Sequence, residues 1–484
     1  MVSTSAVPVK PVLRDLNDVL ADVYVRHIAL RKEDCRYYYE IFTQIFYRIH
    51  NAMKEVDPYY AKYSSEAGNL LDKGGMCVCF DDIMMNYNNY RMASTSAVPV
   101  KPVLRDLNDV LADVYVRHIA LRKEDCRYYY EIFTQIFYRI HNAMKEVDPY
   151  YAKYSSEVKF AGSHFDRLRI NKPDEYDMVI VVHVPFNFIQ IEPKHPGYVQ
   201  LRVDTRPGSP RQYTPDSVEV KTAYKWIDSK NYILRSEYAN WIKSVIIRAI
   251  DRLSRPVQNA NKENMYTVRY TETGPALTLI IENDRGFKLD VDLVLALQFS
   301  ESRWPVEGYN SIPAGCSVGH WMVAPKPNRH GYDIHDENRS WRISLQEQER
   351  KLIHDSHNLR LTVKLLKKLR DSKNMSHLAS YYIKTLFLWE VTENTDADFW
   401  MRNDLATLFK HMLQKLHSAL RVHRINYFWN SRYNLIGNLN PNVVESYANI
   451  VGNLLQSLNS SESHLSAAKY LLTKAEFESY RRFF

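Results

Sequence analysis

The chain has 484 residues, 45% of them hydrophobic and 25% charged, with a net charge of +8. Those values are ordinary for a globular protein of roughly two to three domains, and they exclude collagen-like and low-complexity architectures. Five cysteines make no disulfide framework, no window approaches the roughly 20 apolar residues of a membrane span, and no basic start precedes an apolar signal core. Cytoplasmic or nuclear residence is therefore expected, without a membrane partner.

The N-terminal region is written twice. Ser3–Glu66 and Ser94–Glu157 are identical over 64 residues at a constant offset of 91. Solenoid repeats are shorter, diverged and come in threes or more. Two identical blocks point instead to a duplicated coding segment, or to a gene model joining two versions of one first exon. Each copy carries nine Lys/Arg and nine Asp/Glu and is neutral, while 67–93 carries −1. The +8 of the whole chain therefore leaves +9 on 158–484. A moderately basic body suits nucleic acid or nucleotide phosphates. Ordinary solubility is the competing reading.

Helices are expected over 11–31 and 31–57 in copy one, and over 102–121 and 122–148 in copy two. In the second copy Tyr129, Ile132, Phe133, Ile136, Phe137, Ile140 and Met144 recur at three- and four-residue spacing and form one apolar stripe. Asp148-Pro149 marks its stop. Residues 67–93 show neither helical nor strand periodicity and are read as a disordered joint, with Met92 as an alternative start. Cys77 and Cys79 form a CxC without a second ligand pair, so no zinc is expected there.

Beyond Glu157 the segments FAGSHFDRLRI, EYDMVIVVHVP, YVQLRV, TVRYTE, ALTLIIEN and FKLDVDLVLALQF read as strands, interrupted by one helix, SEYANWIKSVIIRAIDRL. Loops are expected over 302–340, and helical periodicity from Ser344 to the end. The fold class is α/β (α+β): a mixed-sheet core over 158–343, a long spine helix within 94–157, and an all-helical C-terminal lobe over 344–484.

Chemistry concentrates between Ala161 and Val182. Gly162-Ser163 sits where a strand gives way to a turn; a glycine lets backbone approach a phosphate, and amides with a hydroxyl can cradle its oxygens. Glu175 and Asp177 open the following strand at i and i+2, so both project from one face. Asp290 and Asp292 repeat the spacing in KLDVDLVLAL. If the two strands are neighbours, three or four carboxylates converge, a costly arrangement unless cations neutralise it. Oxygen ligands favour Mg²⁺ or Mn²⁺, which support nucleotidyl transfer in two-metal sites. Taken singly, an acidic pair more often simply marks a strand start near solvent.

The segments GSHFDRLRINKPDEYDMVIVVHVP, VDLVLALQF, SWRISLQEQERKLI, LASYYIKTLF and INYFWNSRYNLI together resemble the cyclic GMP-AMP synthase-like receptors, metazoan nucleotidyltransferases. The resemblance spans about 122–455. It implies a nucleotidyltransferase core and ligand-gated synthesis of a cyclic dinucleotide from ATP and GTP, the product acting on a STING-type receptor in innate immunity. It assigns Gly162 and Ser163 to the phosphate loop, and Glu175, Asp177 and Asp292 to catalytic metal ligation by Mg²⁺ or Mn²⁺. Asp290 has no counterpart and reads as a solvated neighbour. Arg342 and Ser344 match base-contacting positions, Glu349 a nucleotide-pocket acid, and Lys367 a phosphate-contacting lysine. Tyr381 matches a base-stacking tyrosine, with Ser380 beside it. Without the resemblance, Lys367 reads as a solvated helix charge and Tyr381 as core.

The His/Cys zinc insert by which cyclic GMP-AMP synthase grips DNA has no match here: KLIHDSHNLRLTVKLL runs on with His354 and His357 but no cysteine. The resemblance therefore implies no zinc, and double-stranded RNA rather than DNA as activator. Duplex RNA is held through shape and phosphates. The cations expected to do so are Arg122, Lys123, Arg127, Arg139, Lys145 and Lys153, although acids interleave with them and a solvated polar face is the competing reading. A catalytically silent relative and a linear oligoadenylate synthase remain the alternative functions.

Overall fold

The apolar stripe of the second repeat copy lies against a sheet. The computed structural model describes residues 106–482 apart from 187–188, 205–217, 254–256, 259–264, 274–275, 305, 328–333, 355, 395, 397 and 460–464. All of these belong to the compact unit Ile83–Phe484. Copy one, the joint at 67–93 and the CxC lie outside the described residues.

Helix α1 (Leu107–His118) leads into the spine helix α2 (Lys123–Val147). Helix α2 buries Ile132, Phe133, Ile136, Phe137, Ile140 and Met144 as the spacing requires, with Tyr129 partly buried at the edge. Each such side chain taken from water stabilises the fold by about 1.5–3 kcal/mol. Asp148 terminates α2 and starts α3 (Pro149–Tyr154), its carboxylate accepting the Tyr151 N–H at 2.9 Å.

The strands are β1 (Ser155–Ala161), β2 (Glu175–Val182), β3 (Ile189–Pro193), β4 (Tyr198–Val203), β5 (Val257–Gln258), β6 (Met265–Thr273), β7 (Ala276–Glu282), β8 (Lys288–Ser300), β9 (His320–Ala324) and β10 (Ser340–Ser344). Interspersed helices are α4 (Gly162–Phe165), α5 (Val218–Tyr224), α6 (Arg235–Arg252) and α7 (Ile334–Arg339). The sheet order is β3-β4-β10-β9-β8-β7-β6-β5, with β1 and β2 branching from β8. Strand β2 runs parallel to β8, whereas the other pairings are antiparallel. The sheet is therefore mixed, as expected. Arg248 of α6 reaches the Asp148 carboxylate at 2.7 Å and ties α6 to the end of the spine.

Period-two alternation divides the sheet's faces. Tyr176, Met178 and Ile180 of β2, with Leu289, Val291, Leu293 and Leu295 of β8, join the main core beneath α2. Tyr176 stacks on Phe133 with ring centroids 4.7 Å apart. The opposite face carries a small cluster of Ala161, Val179, Val181, Ala296 and Met322. Glu175, Asp177, Asp290 and Asp292 share that face's parity.

Three expectations change. FAGSHFDRLRI is not one strand: β1 ends at Ala161 because Gly162 adopts φ +68° and turns the chain into α4. The span 302–340 is not all loop, since it contains β9 and α7; HWMVA is only five residues long, too short for a clear alternation signal. The C-terminal lobe is helical through α8 (Gln346–His354), α9 (His357–Ser372), α10 (Ser380–Glu393), α11 (Phe399–Arg402), α12 (Leu405–Arg421), α13 (Pro441–Asn459), α14 (Leu465–Leu471) and α15 (Lys474–Arg481). A short ladder of β11 (Asn426–Tyr427) and β12 (Asn430–Asn434) interrupts it. Among the described residues no helix is long and apolar enough to cross a membrane.

Candidate active site

The parallel register of β2 on β8 places Asp177 opposite Asp292 and Glu175 opposite Asp290. Carboxylate oxygens of Glu175, Asp177 and Asp292 lie within 4.8 Å of one another. Burial, then Glu175 and Asp292, push the Asp177 carboxyl up to about 7. Burial also raises Asp292, with Glu175 and Asp290 adding to it against a hydrogen bond from Thr278. Three acids at this separation favour a hard, oxygen-seeking cation, so the donor set fits a divalent metal. Asp290 is not part of the cluster; one of its oxygens takes Lys288 Nζ at 3.1 Å. Arg169 binds Glu175 and, at 2.7 Å, Asp174.

Gly162 is set against this cluster. A Cβ built there would lie 1.6 Å from Asp177 Oδ2, so only glycine allows the turn to touch the carboxylate.

The acids open onto a cleft of about 510 Å³ between sheet and helical lobe, within the usual range for small-ligand sites. Gly162, Ser163, Arg342, Ser344, Glu349, Lys367, Ser380 and Tyr381, expected to bind nucleotide, all line it. The Arg342 guanidinium lies over the rings of Tyr427 at 4.7 Å and Tyr198 at 5.1 Å. Gly197, with φ +85°, leaves room for it. Lys367 corrects the solvated reading: it is buried, and its Nζ donates to the Leu168 carbonyl at 2.6 Å. Burial, with Arg370 and Arg169 nearby, lowers its ammonium to about 8. Tyr381 is partly buried at the cleft wall rather than in the core proper.

Sequence reasoning missed a charged network within the wall, where Asp166, Glu349 and Lys384 all line the cleft. Asp166, which ends α4, accepts Arg350 Nε at 3.0 Å and Lys384 Nζ at 2.6 Å. Lys384 also meets Glu349 at 3.0 Å. The other Glu349 oxygen accepts the Tyr381 hydroxyl at 2.9 Å and the Trp429 indole N–H at 3.0 Å. Asp166, Lys384 and Glu349 are 7%, 8% and 4% exposed, and breaking such a buried pair costs roughly 3–5 kcal/mol. One signal was available: Lys384 lies three residues after Tyr381, on the same helix face.

Residues 164–355 match the Mab-21 protein nucleotidyltransferase domain, and residues 358–453 match the Mab-21 protein HhH/H2TH-like domain. The chain is 31% identical to a cyclic GMP-AMP synthase-like receptor of Tribolium castaneum, over 77% of this chain and 94% of that protein. The chain belongs to the cyclic GMP-AMP synthase-like receptors. A second receptor of this family, from Ctenocephalides felis, is also 31% identical, over 78% of this chain and 90% of its own length. Cyclic GMP-AMP synthase-like receptor 1 of Drosophila erecta is 25% identical over 70% and 74%. Membership makes the chain a nucleotidyltransferase, and its acidic triad is a candidate divalent-metal site.

In this cyclic GMP-AMP synthase-like receptor two of the six cations expected to hold nucleic acid, Arg122 and Arg127, are ion-paired. Arg122, Arg127, Arg139, Lys145 and Lys153 are exposed, and Lys123 is half-buried. Arg122 pairs with Asp125 and Arg127 with Glu131 along α2.

Proposed function

We propose that the chain joins ATP and GTP into a cyclic dinucleotide of the cyclic GMP-AMP type, gated by double-stranded RNA. The convergence of Glu175, Asp177 and Asp292 at a nucleotide-sized cleft carries this reading. A ribose hydroxyl oxygen of one nucleotide bonds to the α-phosphorus of the other. The bond from that phosphorus to the bridging oxygen breaks, pyrophosphate leaves with the electron pair, and the hydroxyl proton passes to solvent. A second transfer of the same kind closes the ring. Glu175, Asp177 and Asp292 would hold Mg²⁺ or Mn²⁺, which offsets the charge on the attacking and leaving oxygens.

The protein's own groups position the reactants. Gly162 and Ser163 would offer a backbone amide and hydroxyl to the phosphates, and Lys367 its ammonium. Tyr381 would stack on a base, with Ser380 beside it, while Arg342 and Ser344 contact base edges and Glu349 fixes the Tyr381 hydroxyl. RNA phosphates would meet Arg122, Lys123, Arg127, Arg139, Lys145 and Lys153. Support for gating comes from the contact of Phe133 on the spine with Tyr176, the residue between Glu175 and Asp177.

The test incubates the purified chain with labelled ATP and GTP, Mg²⁺ or Mn²⁺, and a panel of duplex RNA and DNA. A cyclic product appearing only with duplex RNA is expected. No product with any duplex sinks the reading, and linear oligoadenylates point to the alternative synthase. Product made by Asp177→Asn refutes the assignment of the metal ligands.

A further inference from the structure

We propose that Lys384 is a positioning residue that locks the Gly162–Ser163 turn to the helix carrying Tyr381. Its activity readout rests on the nucleotidyl-transfer reading above; its structural readout does not.

Lys384 stands at the centre of a charge-balanced set of two carboxylates and two cations, the buried Asp166, Glu349 and Lys384 with the partly buried Arg350. Its members come from three elements: Asp166 from the end of α4, Glu349 and Arg350 from α8, and Lys384 from α10. Asp166 closes α4, and its N–H donates to the Gly162 carbonyl at 3.0 Å. Arg350 of α8 holds Asp166 on one side and, through Nη2, the Phe160 carbonyl at 2.9 Å in the strand entering the turn. Glu349, next in sequence to Arg350, grips Tyr381 and Trp429. Lys384 of α10 bridges the two carboxylates and so joins the turn below to the aromatic wall above.

The chemistry favours bridging over direct phosphate binding. The ammonium is over nine-tenths buried and already shared between two carboxylates at 2.6 and 3.0 Å. A triphosphate would have to compete with both, each held by further donors. Asp166 and Glu349 together raise the Lys384 ammonium against its burial, which keeps it charged in place. Lys384 therefore sets the distance between the turn and the tyrosine, and through them where a nucleotide sits relative to Asp177.

The experiment compares the full chain with Asp166→Asn, Lys384→Met and the charge-balanced double variant, with melting curves to verify folding. Hydrogen exchange is read without substrate over 160–168 and 379–386. Both single variants should speed exchange about tenfold or more in both segments, the double no more than the worse single. Unchanged exchange at 160–168 in folded Lys384→Met or in the double variant overturns the proposal, whether or not the wild type makes product. With an active wild type, kcat should fall on the order of 10- to 100-fold in each single variant and no further in the double. Multiplying losses, or a loss confined to KM in Lys384→Met with Asp166→Asn silent, would show that Lys384 contacts substrate directly.

Discussion

Replacing Gly162 by alanine tests whether the turn and the metal-ligand cluster are one object. The added methyl would stand 1.6 Å from Asp177 Oδ2 and 2.3 Å from its Cγ. Ordinary contact needs about 3.5 Å, so the carboxylate must retreat by roughly 2 Å. Displacements of about 1 Å cost on the order of 100-fold in rate, and more is expected here. A left-handed φ of +68° adds strain, about 1–2 kcal/mol for a residue with a Cβ. Gly286→Ala separates the two effects. Gly286 has φ +83° with nothing within 4 Å of its would-be Cβ, so it should lose comparable stability by denaturant unfolding while nucleotidyl transfer stays near wild type. Activity of Gly162→Ala within about threefold of wild type would refute the reasoning, as would an equal loss in Gly286→Ala.

The Asp177 carboxyl, held near 7 in the fold against 3.8 for the free group, favours protonation in the folded state. Its ionisation therefore weakens the fold above pH 7, and the penalty shrinks as pH falls toward 4. In chelator at pH 8, Asp177→Asn should be more stable than wild type by about 2–4 kcal/mol, the gap closing by pH 4. Added Mg²⁺ or Mn²⁺ should raise the melting temperature of wild type only; equal stability in chelator at pH 8 would refute the repulsion. Tyr381→Phe loses one hydrogen bond to Glu349, a cost of about 1 kcal/mol with little change in KM. Tyr381→Ala should raise KM roughly 10- to 100-fold if the ring stacks on a base. Deleting residues 1–91, measured by melting and product yield, is expected to change neither, because only the second copy runs on into Gly162.

The amino-acid order determined the local periodicities. The three- and four-residue stripe of α2 specified which face would be buried, and the i, i+2 spacing put Glu175 beside Asp177 and Asp290 beside Asp292 on one side of their strands. Asp148-Pro149 stopped the spine where the spacing required. These are short-range facts, fixed by 3.6- and 2-residue geometry. Whether the two acidic strands were neighbours was not local. Strands more than a hundred residues apart pair through the core they share, and the parallel register of β2 on β8 set Asp177 against Asp292 and left Asp290 to Lys288. Burial was decided in the same way. Lys367 lies on the amphipathic α9 and Lys384 on the largely apolar α10, and local pattern did not say whether either lysine meets water. Packing the helical lobe against the α4 turn enclosed both, and gave Lys384 two carboxylates from elements 218 and 35 residues away in sequence.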